Sequence, residues 1–242
     1  MRKLTIGGFE LSTIDRNDAD TQYIYNEVFN SSIYHFDRMR LPPDPTIMDV
    51  GANIGIYSLW AHHRYRPRAI YCYEASPRTF ACLQDNIDRL IRPQTTEVCA
   101  VNRAIAARGG ETLVLNQSSR VSGISTLLAR SQVSWVERAA ADRELEHHEV
   151  VTSTISDEIA AHRLAAVDIL KIDVEGYFIE ALKGIAAADV AKIRNMVIEV
   201  DYLPETGIKP DDVEAMLRSM GYATDCLDRS MSNNLTFYAW RT

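Results

Sequence analysis

From Thr46 onward, short apolar runs alternate with stretches of helical periodicity. Thr46–Val50, Ala69–Tyr73, Glu97–Val101, Ala166–Val174 and Asn195–Val200 have the length and apolar content of buried strands. Helices are predicted between them. Ile54–Arg64 is the first, and Ser76-Pro77 supplies an N-cap followed by proline at the first helical position of the second. In that second helix Phe80, Leu83, Ile87, Leu90 and Ile91 fall on one face; later helices align Phe178, Leu182 and Ile185, then Val213, Met216, Leu217 and Met220. Such alternation requires a parallel sheet covered on both faces. The last two strands, near 222–227 and 235–240, have only a polar turn between them and must be antiparallel. The fold class is therefore α/β, a doubly wound, mostly parallel sheet with an antiparallel end.

Two parts fall outside this rhythm. Residues 1–45 form an N-terminal extension, with a hairpin over Leu4–Ile14 turning at Gly7-Gly8, a helix over 18–30, and Pro42, Pro43 and Pro45 as breakers. The main domain, 46–242, carries an insertion at about 116–148. Asn116-Gln117-Ser118-Ser119 reads as loop, and Leu128–Glu146 reads as a polar helix, either a solvated surface helix or a lid over a pocket.

Composition narrows the function. Of 242 residues, 46% are hydrophobic, enough for a real core, and the net charge of −7 disfavours a nucleic-acid partner, which needs a basic surface. No apolar run is long enough to span a bilayer, so no membrane association is expected. The start, Met-Arg-Lys-Leu-Thr-Ile-Gly-Gly, has no apolar signal-peptide core, and a cytoplasmic location is expected. Cys72, Cys82, Cys99 and Cys226 are widely separated, as free thiols in a reducing compartment would be.

Four constellations carry chemistry. Asp49-Val50-Gly51-Ala52-Asn53-Ile54-Gly55 lies where the first core strand meets its helix, where small residues allow a ligand close to the backbone. The second strand ends at Glu74, placed as the acid that accepts hydrogen bonds from ribose hydroxyls in doubly wound folds. Lys171, Asp173 and Glu175 alternate at the end of the fourth strand, on one strand face. Glu175 can equally serve the next helix's N-terminus. Glu199 and Asp201 alternate at the end of the fifth, where Asp201 either joins the rim or faces solvent. Four acids at one rim need relief by a divalent cation, by a ligand's positive charge or by protonation. A metal-free arrangement is expected, because no dedicated metal-loop pattern is present.

Together Ile47–Gly55, Tyr73-Glu74-Ala75-Ser76-Pro77, Asn86, Leu170-Lys171-Ile172-Asp173-Val174-Glu175-Gly176 and Val197-Ile198-Glu199 resemble the FkbM family of S-adenosylmethionine-dependent methyltransferases. The resemblance spans about residues 46–200. It implies a class I methyltransferase, Rossmann-like fold, with seven strands in the order 3-2-1-4-5-7-6. It also implies that Asp49, Gly51, Asn53 and Gly55 line the methionine end of the cofactor, that Glu74 holds its ribose and that Ala104 meets its adenine. Asp173 is then expected near the cofactor's amino end, with Glu199, Asp173 or His35 as candidate bases. The acceptor expected is a hydroxyl on a secondary metabolite or sugar, free or carrier-bound, with residues 18–40 and 116–148 shaping its side of the pocket. N-methylation of a small molecule is an alternative. So is a non-catalytic cofactor-binding module, although the motif set is intact. A short-chain nicotinamide oxidoreductase would carry Tyr-x-x-x-Lys, and none of the eleven tyrosines has lysine four residues on.

Overall fold

A computed structural model describes residues 1–92, 94–128, 144–201, 207–227 and 235–241. The chain opens with an antiparallel hairpin, β1 (Arg2–Ile6) and β2 (Phe9–Thr13), turned at Gly7 and Gly8. Helix α1 (Asp18–Asn30) follows, its N-cap Asn17 accepting from the Ala19 N–H and its first turn carrying Asp18 and Asp20.

The core alternation is β3 (Thr46–Val50), α2 (Ile56–Tyr65), β4 (Ala69–Tyr73), α3 (Pro77–Leu90) and β5 (Glu97–Val101). An added sheet comes next: β6 (Ala104–Ile105), β7 (Thr112–Ser118), β8 (Ser125–Thr126) and β9 (Leu145–Ser153). The core then resumes with α4 (Ile155–Ala161), β10 (Ile169–Ile172), α5 (Phe178–Lys183), α6 (Ala187–Val190) and β11 (Asn195–Val200). It ends with α7 (Pro210–Ser219), β12 (Ala223–Leu227) and β13 (Leu235–Trp240).

The seven-stranded sheet runs β12-β13-β11-β10-β3-β4-β5. Numbered along the chain within that sheet, this is the order 3-2-1-4-5-7-6. Only β13 lies antiparallel to its neighbours β11 and β12. Strand alternation splits the apolar side chains between two cores. Met48, Val50, Leu170, Ile172 and Ile198 pack with Phe178, Leu182, Val213 and Leu217. Ile47, Ile70, Cys72, Ile169 and Val197 pack with Ile56, Leu59, Leu83 and Ile87 on the other face.

The insertion differs from expectation. Asn116, Gln117 and Ser118 are buried in strand β7 rather than in a loop. Their polarity is satisfied internally: the Gln117 carboxamide accepts from Ser76 Oγ at 2.6 Å and donates to Thr79 Oγ1 at 2.9 Å. The helix expected over Leu128–Glu146 falls largely on 129–143, outside the described residues, and Leu145 and Glu146 belong to β9. Among the described residues no helix is long and apolar enough to cross a membrane.

The extension and the insertion meet. Arg16 N–H donates to the Arg120 carbonyl at 2.9 Å. Buried Asp15 accepts from Ser122 N–H at 2.5 Å and from Thr21 Oγ1 at 2.5 Å, joining the loop between β7 and β8 to the first turn of α1. The hairpin is fastened to α3 by Asn86, which accepts from Ser12 N–H at 2.7 Å and donates to the carbonyls of Ser12 and Ile54.

Candidate functional site

A cavity of about 400 Å³ opens at the carboxyl ends of β3, β4, β10 and β11. That volume lies within the roughly 300–1,000 Å³ usual for small-molecule sites. The wall begins with the turn after β3. Gly51 has φ 75°, and a Cβ there would meet the Asp173 carbonyl oxygen at 1.7 Å, so no larger residue fits between β3 and β10. Asn53 takes a left-handed φ of 49°, and Gly55 ends the turn at φ 91° as the N-cap of α2, which therefore starts at Ile56.

Glu74 closes this half. It is 6% exposed, yet it lines the cavity, and its two oxygens accept from Asn53 N–H at 2.9 Å and Ser76 N–H at 2.8 Å. Burial pushes its pKa up to about 7, against the opposing pull of those two N–H groups. Each oxygen retains a lone pair for a ligand hydroxyl. Ala104 and Ile105 continue the wall, and among the described residues the buried Asn53 Oδ1 has no hydrogen-bond donor.

The other half is acidic. Lys171, 2% exposed, donates to the Gly51 carbonyl at 2.6 Å and ion-pairs with Asp49 and Asp173, each at 3.2 Å. Burial alone would lower its pKa, but Asp173 and Asp49 hold it above the ordinary value, so the ammonium stays charged. Asp173, Glu175 and Glu199 line the cavity, and Glu27 and Tyr34 face it from the N-terminal segment. Burial, then the charges of Asp173, Asp201 and Glu27, push the Glu199 carboxyl well above its usual range. Burial, then the charges of Glu199, Asp173, Glu27 and Asp49, push the Tyr34 phenol well above its usual range and keep it protonated. Helix α1 presents Asp20, Tyr23, Ile24, Glu27 and Val28 to the cavity, one face at helical spacing. The β7–β8 loop crosses opposite, where a Cβ on Gly123 would lie 3.2 Å from Ile24 Cδ1 and 3.6 Å from Asn53 Nδ2.

Gly51, Asn53, Glu74, Ala104, Asp173 and Glu199 thus share one wall. Three expected residues stand apart from it. Asp49 is fully buried behind the turn, holding Ser58 Oγ at 2.6 Å as well as Lys171. Gly55 faces Leu83. His35 is a correction: its Nδ1 bonds the Tyr65 hydroxyl at 2.9 Å and its ring packs on Tyr65, away from the cavity that its neighbour Tyr34 lines. Burial and Arg64 lower its pKa. Strand β10 also ends at Ile172, so Glu175, at φ 51°, lies in a turn and not on a common strand face with Lys171 and Asp173. Glu27 is the acid that motif reading passes over. Its signal is the i, i+3, i+4, i+7 spacing with Asp20, Tyr23 and Ile24.

The Methyltransferase FkbM domain family matches residues 49–224, most of the chain, from the end of β3 through β11. The chain belongs to that family. It is 29% identical over 221 residues to methyltransferase sdnD of Sordaria araneosa, covering 84% of this chain and 82% of that one. Similarity to the 31-O-demethyl-FK506 methyltransferase FkbM of Streptomyces tacrolimicus is equal in degree: 29% over 219 residues, 85% of this chain and 83% of that protein. The fold is shared with magnesium protoporphyrin IX methyltransferase of Synechocystis, solved with bound S-adenosylmethionine, at a TM-score of 0.51 and 12% identity over 93% of this chain and 81% of that one. This FkbM-family chain is an S-adenosylmethionine-dependent methyltransferase. The cavity suits that cofactor: Gly51 and Asn53 line it, Asn53 Oδ1 lacks a donor among the described residues, and Glu74 can accept from a diol.

Proposed function

We propose that this FkbM-family enzyme methylates a hydroxyl oxygen of a small molecule, a secondary metabolite or sugar, presented free or on a carrier. The observation that carries this reading is one cavity with two unlike halves, the Gly51–Asn53 turn with Glu74 on one side and Glu27, Asp173 and Glu199 on the other. Gly51 and Asn53 hold the methionine portion of S-adenosylmethionine, Glu74 accepts from its ribose, and Ala104 lies against its adenine. Bound there, the cofactor would supply an activated methyl group to the acceptor oxygen, leaving S-adenosylhomocysteine as the carbon–sulfur bond breaks, with the hydroxyl proton passing to Glu199 as base.

The side chains contribute mainly alignment, which carries much of the rate in such a transfer. Asp173, held by Lys171, faces the cofactor's amino end. Glu199 accepts a hydrogen bond from the acceptor hydroxyl, and the protonated Tyr34 donates one. Helix α1 and the β7–β8 loop enclose the acceptor and exclude water, which would otherwise screen these charges. A relative named for a 31-O-demethyl substrate supports oxygen as the target.

Intact-mass and fragmentation analysis of hydroxylated candidates, free and carrier-tethered, incubated with enzyme and S-adenosylmethionine tests this. One added methyl on oxygen is expected. A methyl found on nitrogen overturns the oxygen assignment.

A further inference from the structure

The geometry points to a divalent-cation site built by Asp173, Glu199 and Asp201. One carboxylate oxygen from each lies within 4.8 Å of the others. Asp201 is the decisive residue. It is 2% exposed, and among the described residues neither of its oxygens has a hydrogen-bond donor beyond the Glu199 carboxyl beside it. A buried carboxylate with no donor is costly, and natural structures reserve such groups for a bound cation or a shared proton. Sequence alone left Asp201 free to face solvent. Its burial beside Glu199 removes that way out.

Charge and chemistry favour the cation. Glu27, Asp173, Glu199 and Asp201 act on one another at this end of the site, and among the described residues the cation that offsets Glu27 and Glu199 is Lys171, already committed to Asp49 and Asp173. The ligand set is all oxygen, without histidine or thiolate, which selects Mg²⁺, Mn²⁺ or Ca²⁺ over zinc. Spacing agrees. Oxygens across one ion are about 4.2 Å apart for Mg²⁺ and up to roughly 5 Å apart for Ca²⁺. The three residues come from the ends of β10 and β11, adjacent parallel strands, so the site rests on the rigid sheet and not on the insertion. At the acceptor end of the cavity, the ion would also hold and polarise an acceptor oxygen. That last role rests on the O-methylation reading; the binding site itself does not.

The test is an electron paramagnetic resonance titration of Mn²⁺ into EDTA-stripped protein, beside calorimetric titration of S-adenosylhomocysteine into the same sample. The expected result is loss of free Mn²⁺ signal to one site, competed by Mg²⁺. Asp201→Asn should bind Mn²⁺ at least tenfold more weakly, with a thermal midpoint without metal no lower than wild type and with nucleoside affinity intact. Glu199→Gln, as a second variant, should weaken Mn²⁺ similarly. Wild-type protein that binds S-adenosylhomocysteine yet takes up no Mn²⁺ at millimolar concentration overturns the site, as does an Asp201→Asn protein that binds Mn²⁺ as tightly as wild type. Failure of nucleoside binding would count against the cofactor half instead, so the two readings fail separately.

Discussion

Glu74 shows what a single residue does in this site. Two backbone N–H groups fix its carboxylate, and burial raises its pKa from the ordinary 4.5 to about 7. A raised carboxyl is the neutral form stabilised by folding. Its contribution to stability is therefore full below about pH 4.5 and lost as pH rises through 7. Ligand binding runs the other way, because only the ionised carboxylate accepts from both hydroxyls of a diol. We expect S-adenosylhomocysteine affinity, measured by calorimetry, to rise between pH 6 and pH 8 and then level. A flat profile would mean that Glu74 does not carry the ribose. Glu74 is legible in sequence because strand length and spacing place it at a strand end. His35 is misread for an equally physical reason: nothing local distinguishes a histidine turned to Tyr65 from one turned to a cavity.

Among elements, the extension and the β7–β8 loop behave as one wall because Asp15 joins them. Asp15→Ala would strand the Ser122 N–H and the Thr21 hydroxyl, and hydrogen bonds to a charged group are worth about 1.5–3 kcal/mol each. The variant should lose stability by about 3–6 kcal/mol on that basis, and raise the acceptor KM far more than the cofactor Kd. An unchanged acceptor KM in a folded variant would separate this wall from acceptor binding. The core strands were readable because most of their buried residues are apolar, with Asp49 and Lys171 paired as exceptions. Strand β7 was not, because Asn116 and Gln117 are polar yet buried, with Gln117 satisfied by Ser76 and Thr79 of the α3 N-terminus, 38 and more residues away in sequence. A pairing at that distance leaves no local pattern.

On the scale of the whole molecule, the sheet divides the labour. The β3–β4 side offers the Gly51–Asn53 turn and the Glu74 carboxylate, while the β10–β11 side, roofed by α1, offers acids. The order 3-2-1-4-5-7-6 brings the two sides together at one edge of the strands, where ligands of open α/β sheets bind. Glu27 completes the acidic side only because the extension folds back over it, a contact between segments that no motif records. The central claim is that cofactor and acceptor occupy separate halves. It is tested most directly by calorimetric titration of S-adenosylhomocysteine into wild type, Glu74→Gln and Glu199→Gln. Loss of charge-assisted hydrogen bonds worth about 1.5–3 kcal/mol predicts at least a roughly tenfold weaker Kd for Glu74→Gln. Glu199→Gln should stay within about twofold of wild type, since no lost bond of that size is expected there. Equal losses in both variants, or a loss confined to Glu199→Gln, would contradict the division.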